Sequence, residues 1–379
     1  MTAYAGREQT EAKHFILRRY LQALAFKILR GWDITYIDGF SGPWEAKTED
    51  FADTSFMIAI EVLKDAQKQI FEQAGRLPKI RCFFSENNPE AFRQLEAAVA
   101  PHHQPNQGFE IKTYQGDFED AVSEIKSFVG SSFPLIFIDP TGWTGYPFDK
   151  IKPLFAPAKC EVLINFMYAF VSRFVASQDE STIASLDKIL GGPGWRDRLD
   201  KTLPLGPAVE KLFRETLQRS GGFGYVVSTK IDKSTEDRPH FFIAYGTKSR
   251  EGLKAFRDTE YAALRAHARK RADAKERRRE ERTKSSDLFA GMDADIQEAS
   301  IDDIVSEQKA LASDRLTTIL AEKGVSPFPA VVDALLQAFM LRETNVKDIC
   351  CELARAGKIM NTWGNGQHKP KDTTMIRLS

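Results

Sequence analysis

The sequence predicts an α/β fold: a mostly parallel sheet with helices on both faces, followed by a smaller helical unit. Three observations predict it. From residue 34 onward, short apolar runs alternate with helix-period segments. Those runs are continuous rather than alternating, as strands buried on both faces require. Two consecutive strand-like runs then close the series. A chain of 379 residues with 42% apolar and 11% aromatic content has enough material for two domains and a sizeable core.

Each element has a local reason. Residues 11–30 place Phe15, Ile16, Tyr20, Leu21, Leu24, Ile28 and Leu29 near the helical period. ITYIDGFSGP (34–43) is a strand running into a glycine turn, and 55–75 is a helix. The strand RCFFSE (81–86) leads into a helix over 88–99 with Pro89 in its first turn. EIKTYQGD (110–117) is a strand, followed by a helix over 118–129 that Asp117 can cap. PLIFIDP (134–140) and EVLINF (161–166) are strands flanking a short helix at 149–155. Residues 172–220 read as mostly helical. The runs at 225–232 and 240–247, joined by a polar loop, predict an antiparallel pair at one sheet edge.

Beyond residue 250 the pattern changes. A long charged helix extends to about residue 284. Its stretch 265–284, opening on Arg265 and closing on Lys284, holds ten Arg or Lys against four Asp or Glu. Residues 285–301 are small, acidic and aperiodic, the pattern of a linker. Helical periods follow at 304–322, 329–342 and 344–359; Thr344 or Asn345 can cap the last of these and Gly357 can end it. IMNTW and TTMIRL then flank Asn365-Gly366, a hairpin turn signal. Three helices and a hairpin predict a winged-helix domain. The predicted division is therefore 1–250 for the α/β domain, 251–301 for the basic helix and linker, and 302–379 for the winged-helix domain.

Several function classes are disfavoured. Lys plus Arg equals Asp plus Glu at 53 each, so the whole chain has no charge that demands nucleic acid. Four cysteines without C-x-x-C spacing argue against a zinc or iron–sulfur site, and no metal is expected. The polar start MTAYAGREQTEAKHF has no apolar signal region, and the apolar stretch from Val162 to Val171 is short and contains Asn165. The expectation is a cytoplasmic protein without membrane contact. The six histidines, His14 and His240 among them, lack metal spacing and read as structural or solvated. G-x-S-x-G and G-x-x-x-x-G-K-[ST] are both absent.

The candidate site residues stand at strand ends, where ligands bind in open α/β sheets. Asp38-Gly39-Phe40-Ser41-Gly42-Pro43 ends the first strand; its glycines let backbone approach a ligand. The dinucleotide fingerprint is missing, and Asp38 brings negative charge, so a cationic nucleoside such as S-adenosylmethionine fits better than a pyrophosphate. An ordinary strand-to-loop turn is the plainer reading of this fragment alone. Glu86 at the end of the second strand can accept both hydroxyls of a ribose, or be a solvated strand-end acid. Asp117 can accept from an adenine amino group while Phe118 covers the ring. Asp139-Pro140, ending the fourth strand, is similar to the Asp-Pro-Pro-Tyr box of amino-methyltransferases, in which the acid orients an acceptor amine. Trp143 could supply an aromatic face to a base, and Asn165 could line the same cleft. The conjunction carries the argument: four consecutive strands end in Asp38, Glu86, Asp117 and Asp139, all on one edge. The basic run has two readings. It is a solvated helix laced by i,i+4 pairs, or a helix that contacts phosphates.

These residues resemble the three-Cys-motif partner (TcmP) family over most of the chain. The resemblance is carried by Lys13, Leu17 and Tyr20 in the first helix, by Tyr36-Ile37-Asp38-Gly39-Phe40-Ser41-Gly42-Pro43 and by Phe84-Ser85-Glu86-Asn87-Asn88-Pro89. Phe137-Ile138-Asp139-Pro140, Leu163-Ile164-Asn165-Phe166, Arg173 and Phe242-Ile243-Ala244-Tyr245-Gly246-Thr247 continue it. Trp44 stands where a further glycine is common, and Thr141 where an aromatic often follows Asp-Pro. The resemblance implies a class I methyltransferase-like (Rossmann-like) fold, S-adenosylmethionine as cofactor and a phage-associated partner protein bearing a three-cysteine, radical-cluster-like motif.

The expected function is that of an S-adenosylmethionine-dependent methyltransferase whose acceptor is a nucleic-acid base. The cofactor is expected over Asp38, Gly39, Phe40, Ser41, Gly42, Glu86, Asn87, Asp117 and Phe118; Asp139, Pro140, Trp143 and Asn165 are the expected catalytic residues. Nucleic acid is the expected partner of the basic run and the winged-helix domain. The alternative is a non-catalytic methyltransferase-like protein that binds nucleic acid or the three-cysteine partner.

Overall fold

The structure, a computed structural model, describes residues 4, 7–43, 46–233, 236, 239–283, 292–363 and 368–379, with residue 170 described in its backbone alone. The chain forms two compact units, Met1–Ser249 and Arg250–Ser379.

The first unit opens with α1 (Glu8–Ile28) and alternates as the sequence predicts: β1 (Ile34–Asp38), α2 (Ser55–Ala74), β2 (Ile80–Glu86), α3 (Pro89–Val99), β3 (Phe109–Gln115), α4 (Val122–Val129), β4 (Phe133–Ile138), α5 (Phe148–Ile151) and β5 (Glu161–Phe166). Three helices follow, α6 (Tyr168–Phe174), α7 (Glu180–Leu190) and α8 (Leu205–Gly221), and then β6 (Tyr225–Asp232) and β7 (Pro239–Thr247). The sheet order is β3-β2-β1-β4-β5-β7-β6, with β1 to β5 parallel and β7 antiparallel to both its neighbours. This is an α/β fold with a seven-stranded, mostly parallel sheet. The strand order reverses beside β1, between β2 and β4, which opens a crevice at the carboxyl edge.

Side chains alternate across the sheet and build two cores. Ile37, Phe83, Ile136, Ile138 and Val162 face a cluster that includes Ile125 of α4, Leu186 of α7 and Phe213 of α8. On the other side Tyr36 and Phe56 both meet the Phe84 ring edge-on, at 6.3 and 6.0 Å. α1 is tied to the opposite end of the sheet by a buried polar knot. The Tyr20 hydroxyl donates to Glu161 Oε2 at 2.5 Å and lies 2.5 Å from the Tyr245 hydroxyl, and Thr247 Oγ1 donates to Glu161 Oε1. Burial drives the Glu161 carboxyl upward in pKa even though these donors pull it back.

The predicted helix over 118–129 begins only at Val122, without a side-chain cap, so Asp117 is not its cap. Residues 118–121 form turns instead, and the Asp117 carboxylate accepts from Asn87 Nδ2 at 3.0 Å.

In the second unit α9 (Arg250–Thr283) packs on α10 (Met292–Lys323), followed by β8 (Val325–Pro327), α11 (Phe328–Ala338), α12 (Glu343–Arg355) and β9 (Met375–Arg377). Residues 292–301, expected in a linker, are helical. Their acids are the reason: Asp295 and Glu298 lie along one face of α10 and pair with Arg265 and Arg269 of α9, and Tyr261 donates to Asp302 one turn further on. The start of the basic run is thus paired within its own unit. The start of α12 is closed by Asn345 Oδ1 accepting from the Arg342 backbone N–H, at 2.9 Å. The strand over 375–377 pairs antiparallel with β8, which the sequence pattern does not reveal; the IMNTW segment meets this end of the chain through an Ile359–Leu378 bridge and through Thr362 Oγ1, which donates to the Met375 carbonyl at 2.6 Å. Trp44, Lys284 and Asn365-Gly366 lie outside the described residues.

The Glu161 knot makes a testable prediction. Tyr20→Phe strips a buried carboxyl of a donor and is expected to cost about 1–3 kcal/mol in urea unfolding. An unchanged midpoint contradicts the role given to this contact.

Candidate functional site

Two cavities open at the carboxyl edge of the sheet. The first, of about 410 Å³, is bounded by Gly39, Phe40, Glu86, Asn87, Asp117 and Phe118, together with Lys188 of α7. The second, of about 350 Å³, is bounded by residues of α1 (Lys13, His14), by Ser55, Asn165, Met167 and Phe241, and by Gly42 and Pro43. Phe40, Asp139, Pro140 and Thr141 line both, so they are the wall between the cavities.

The first cavity is shaped by a close backbone approach. A Cβ on Gly39 would stand 2.8 Å from Cγ of Phe118, so only glycine fits the chain over that ring. Phe118 is itself buried and tilts against Phe40, with ring centroids 6.0 Å apart. It is a floor under the glycine as much as a face to a ligand. Gly116 sits at φ +151°, where side chains are strained, and brings Asp117 to the rim beside Asn87. Glu86 is buried at the end of β2, and its Oε1 accepts from the Asn88 backbone N–H at 2.7 Å.

Asp38 is placed differently from the other three acids. It shares the Tyr36 face of β1 and lies wholly buried behind the wall, lining neither cavity. Its carboxylate accepts from the Phe40 N–H at 3.1 Å, from Ser55 Oγ at 2.7 Å and from the Tyr36 hydroxyl at 3.3 Å. Burial pushes its pKa up to about 6, against the pull of the Ser55 and Phe40 donors. Ser41 is also behind the wall: its hydroxyl donates to the Asp38 carbonyl and its N–H to the Ser85 carbonyl. Asp38 and Ser41 therefore shape the glycine turn from beneath.

The second cavity is held by a row of contacts along the wall. Lys13 Nζ meets Asp139 Oδ2 at 2.5 Å, and Asn165 Nδ2 donates to Asp139 Oδ1 at 2.7 Å. Arg7 pairs with Asp53 at 2.8 Å on another side of the same cavity. Asp53 is desolvated, but donors from Arg7, Lys47 and Thr48 outweigh that and hold its carboxyl below the usual range. His14 is buried 3.0 Å from the Tyr4 hydroxyl; burial and the neighbouring Lys13 hold its imidazole well below its ordinary pKa, so it is neutral at pH 7.

Of the sequence candidates, Gly39, Phe40, Glu86, Asn87, Asp117 and Phe118 are brought together around the first cavity, and Asp139 and Pro140 onto the wall. Gly42 and Asn165 belong to the second. Trp143 belongs to neither. Its indole N–H donates to Ser185 Oγ at 2.8 Å, and its ring packs 4.9 Å from Phe174, which turns it into the packing around α7. Lys13 and His14 line the second cavity, which helix periodicity does not reveal, since α1 reads only as an amphipathic helix. The visible signal for them is two polar residues, one buried and one nearly so, in the first turns of a core-facing helix.

No family model matches this chain, and no curated protein matches it. Among solved structures, the crystal structure of cofactor-bound Rv0187 from MTB is similar, with a TM-score of 0.33 and 12% identity over 62% of this chain and 80% of that chain. A likeness of that size leaves the activity to be argued from the residues themselves. Among the described residues, no helix is long and apolar enough to cross a membrane, and no cluster of three or more His, Cys, Asp or Glu is set to hold a metal.

The first cavity is lined by Glu86, Asp117, Glu119 and Asp139 and by Lys188, with Asp139 also paired to Lys13 and Glu119 to Lys150. A lining with one lysine and several acids suits a neutral or singly cationic ligand better than a polyphosphate.

Asp38 gives a pH signature. Its carboxyl binds a proton more tightly when folded, near pH 6, than at its ordinary 3.8. Its contribution to stability is therefore complete below pH 4 and lost as pH rises through 6, a swing of up to about 3 kcal/mol. The stability difference between wild type and Asp38→Asn is expected to shift in favour of the variant across that window; a difference flat from pH 4 to 7 contradicts the burial of this carboxyl.

Proposed function

We propose that this chain is an S-adenosylmethionine-dependent methyltransferase of the three-Cys-motif partner family, with a nucleic-acid base as acceptor. One observation carries the reading: an acid-rimmed cavity and a second, mixed one adjoin at the carboxyl edge, sharing Phe40 and Asp139-Pro140-Thr141 as lining. A donor in one and an acceptor in the other would meet where the two linings join. Methyl transfer by displacement needs just such in-line positioning of two partners.

In this reading Glu86 accepts the ribose hydroxyls, Asp117 with Asn87 takes the adenine amino group, and the bare backbone at Gly39 allows close contact. S-adenosylmethionine supplies an activated methyl group there. Asp139, held by Lys13 and Asn165, orients the acceptor. His14, neutral and within hydrogen-bond reach of the Tyr4 hydroxyl, lines the second cavity next to Lys13.

A second reading keeps the scaffold without the catalysis, as a binder of nucleic acid or of the three-cysteine partner. It is favoured by Lys13, which already engages an oxygen of Asp139. Calorimetry separates the two. Wild type is expected to bind S-adenosylmethionine, with Glu86→Ala and Asp117→Ala each weakening it about tenfold or more. No binding at millimolar cofactor decides for the scaffold, and unchanged affinity in both variants removes the proposed site.

The second unit is proposed as a winged-helix module that contacts nucleic acid. What supports this is its order α10, β8, α11, α12, the Ile359 bridge and β9, together with the exposed cations Lys275, Arg278 and Arg282 on α9. Duplex binding is expected to weaken steeply with salt, and reversing those three charges is expected to flatten the salt slope by about three phosphate contacts. Salt-independent binding contradicts it.

A further inference from the structure

Asn165 holds an unmet valence. Its side chain is 2% exposed on the second cavity, and its amide orientation is set by chemistry: the Asp139 carboxylate can only accept, so Nδ2 faces it at 2.7 Å. The amide oxygen is then left buried, with no donor among the described residues. An unsatisfied buried acceptor costs about 1–3 kcal/mol, which a ligand N–H would return. At the other end of the row, Lys13 spends one N–H on Asp139 and meets no other acceptor among the described residues. The row thus presents an acceptor at Asn165 and a donor at Lys13.

The rest of the cavity selects what can lie against that row. Its charged walls are two closed ion pairs, Lys13–Asp139 and Arg7–Asp53, so no net charge calls for a phosphate. Phe40, Phe241, Met167 and Pro140 supply apolar faces of the kind that flank a planar ring. A volume of about 350 Å³ is in the range that takes a ring system with its sugar.

We infer that the second cavity selects a heteroaromatic ring whose edge carries an N–H donor beside an acceptor atom, with Asn165 reading the N–H and Lys13 the acceptor. The amino edges of adenine and cytosine and the lactam edges of guanine and uracil share this chemistry. The inference rests on the reading above only in calling this ring the methyl acceptor. Asn165 and Lys13 are specificity-determining residues in it, and Asp139 fixes both.

The test uses the full-length protein and free nucleosides, titrated calorimetrically with and without S-adenosylmethionine. Adenosine and uridine are compared with N6,N6-dimethyladenosine and 3-methyluridine, whose ring-edge N–H is blocked, and with N-acetylglutamine amide as a side-chain amide. The nucleoside that binds is expected to lose about tenfold or more in affinity when its N–H is blocked, and likewise in Asn165→Leu and Lys13→Met. The blocked ligands probe the unmodified protein, so the result stands even if a variant fails to fold. Equal binding of blocked and unblocked nucleosides overturns the inference, and so does tighter binding of the glutamine amide. Cofactor binding without any nucleoside binding overturns it while leaving the methyltransferase reading intact. Selective nucleoside binding without cofactor binding supports it and sinks the methyltransferase reading instead.

Discussion

The Asp38 carboxylate governs how the wall between the two cavities is built. It is buried at the tip of β1 and held by the Phe40 N–H, Ser55 and Tyr36. Those three contacts join the strand, the turn after it and the start of α2 at one point. The turn so fixed lays Gly39 on the Phe118 ring and leaves Phe40 standing between two hollows. A carboxyl with its pKa raised to about 6 by burial is costly to the fold, and the cost is offset only while its donors stay in place. The acid that seemed suited to touch a ligand instead sets the backbone at Gly39 and Phe40.

Beyond that point the edge divides its acids by depth. Glu86 and Asp117 border the first cavity, while Asp139 stands on the wall and is engaged from the second side by Lys13 and Asn165. The Lys13–Asp139 contact is largely screened from solvent, with each side chain 13% exposed, so breaking it would leave a charge in a poor place to be alone. Two of the polar attachments of α1 in its own unit are buried or nearly so. Near its middle Tyr20 grips the Glu161 knot, and near its start Lys13 reaches the wall. In the second unit α9 is anchored by similar means: Arg250 makes a two-pronged contact with Asp333, and Lys254 pairs with Glu343. The basic run consequently begins inside a packed helix pair, and its charge becomes progressively more exposed toward residue 283.

The amino-acid sequence by itself determined the strands, their parallel character and the acids at their ends, because burial on both faces forces continuous apolar runs and glycine, asparagine or proline follows the first four of them. It also marked Gly39, Glu86, Asp117 and Asp139 as neighbours, since strands of one parallel sheet end on one edge. It could not say which way each side chain faces once the run ends. Asp38 went inward because it shares the Tyr36 side of β1, beneath Ser55, and Trp143 turned aside because Ser185 and Phe174 satisfy it. The helicity of 292–301 was hidden for a similar reason: its acids look like linker residues until Arg265 and Arg269 stand opposite them. Only the tertiary structure decided that Lys13, Asp139 and Asn165, far apart in the chain, form one row, because a hydrogen bond is a statement about distance and direction that spacing along a sequence does not contain.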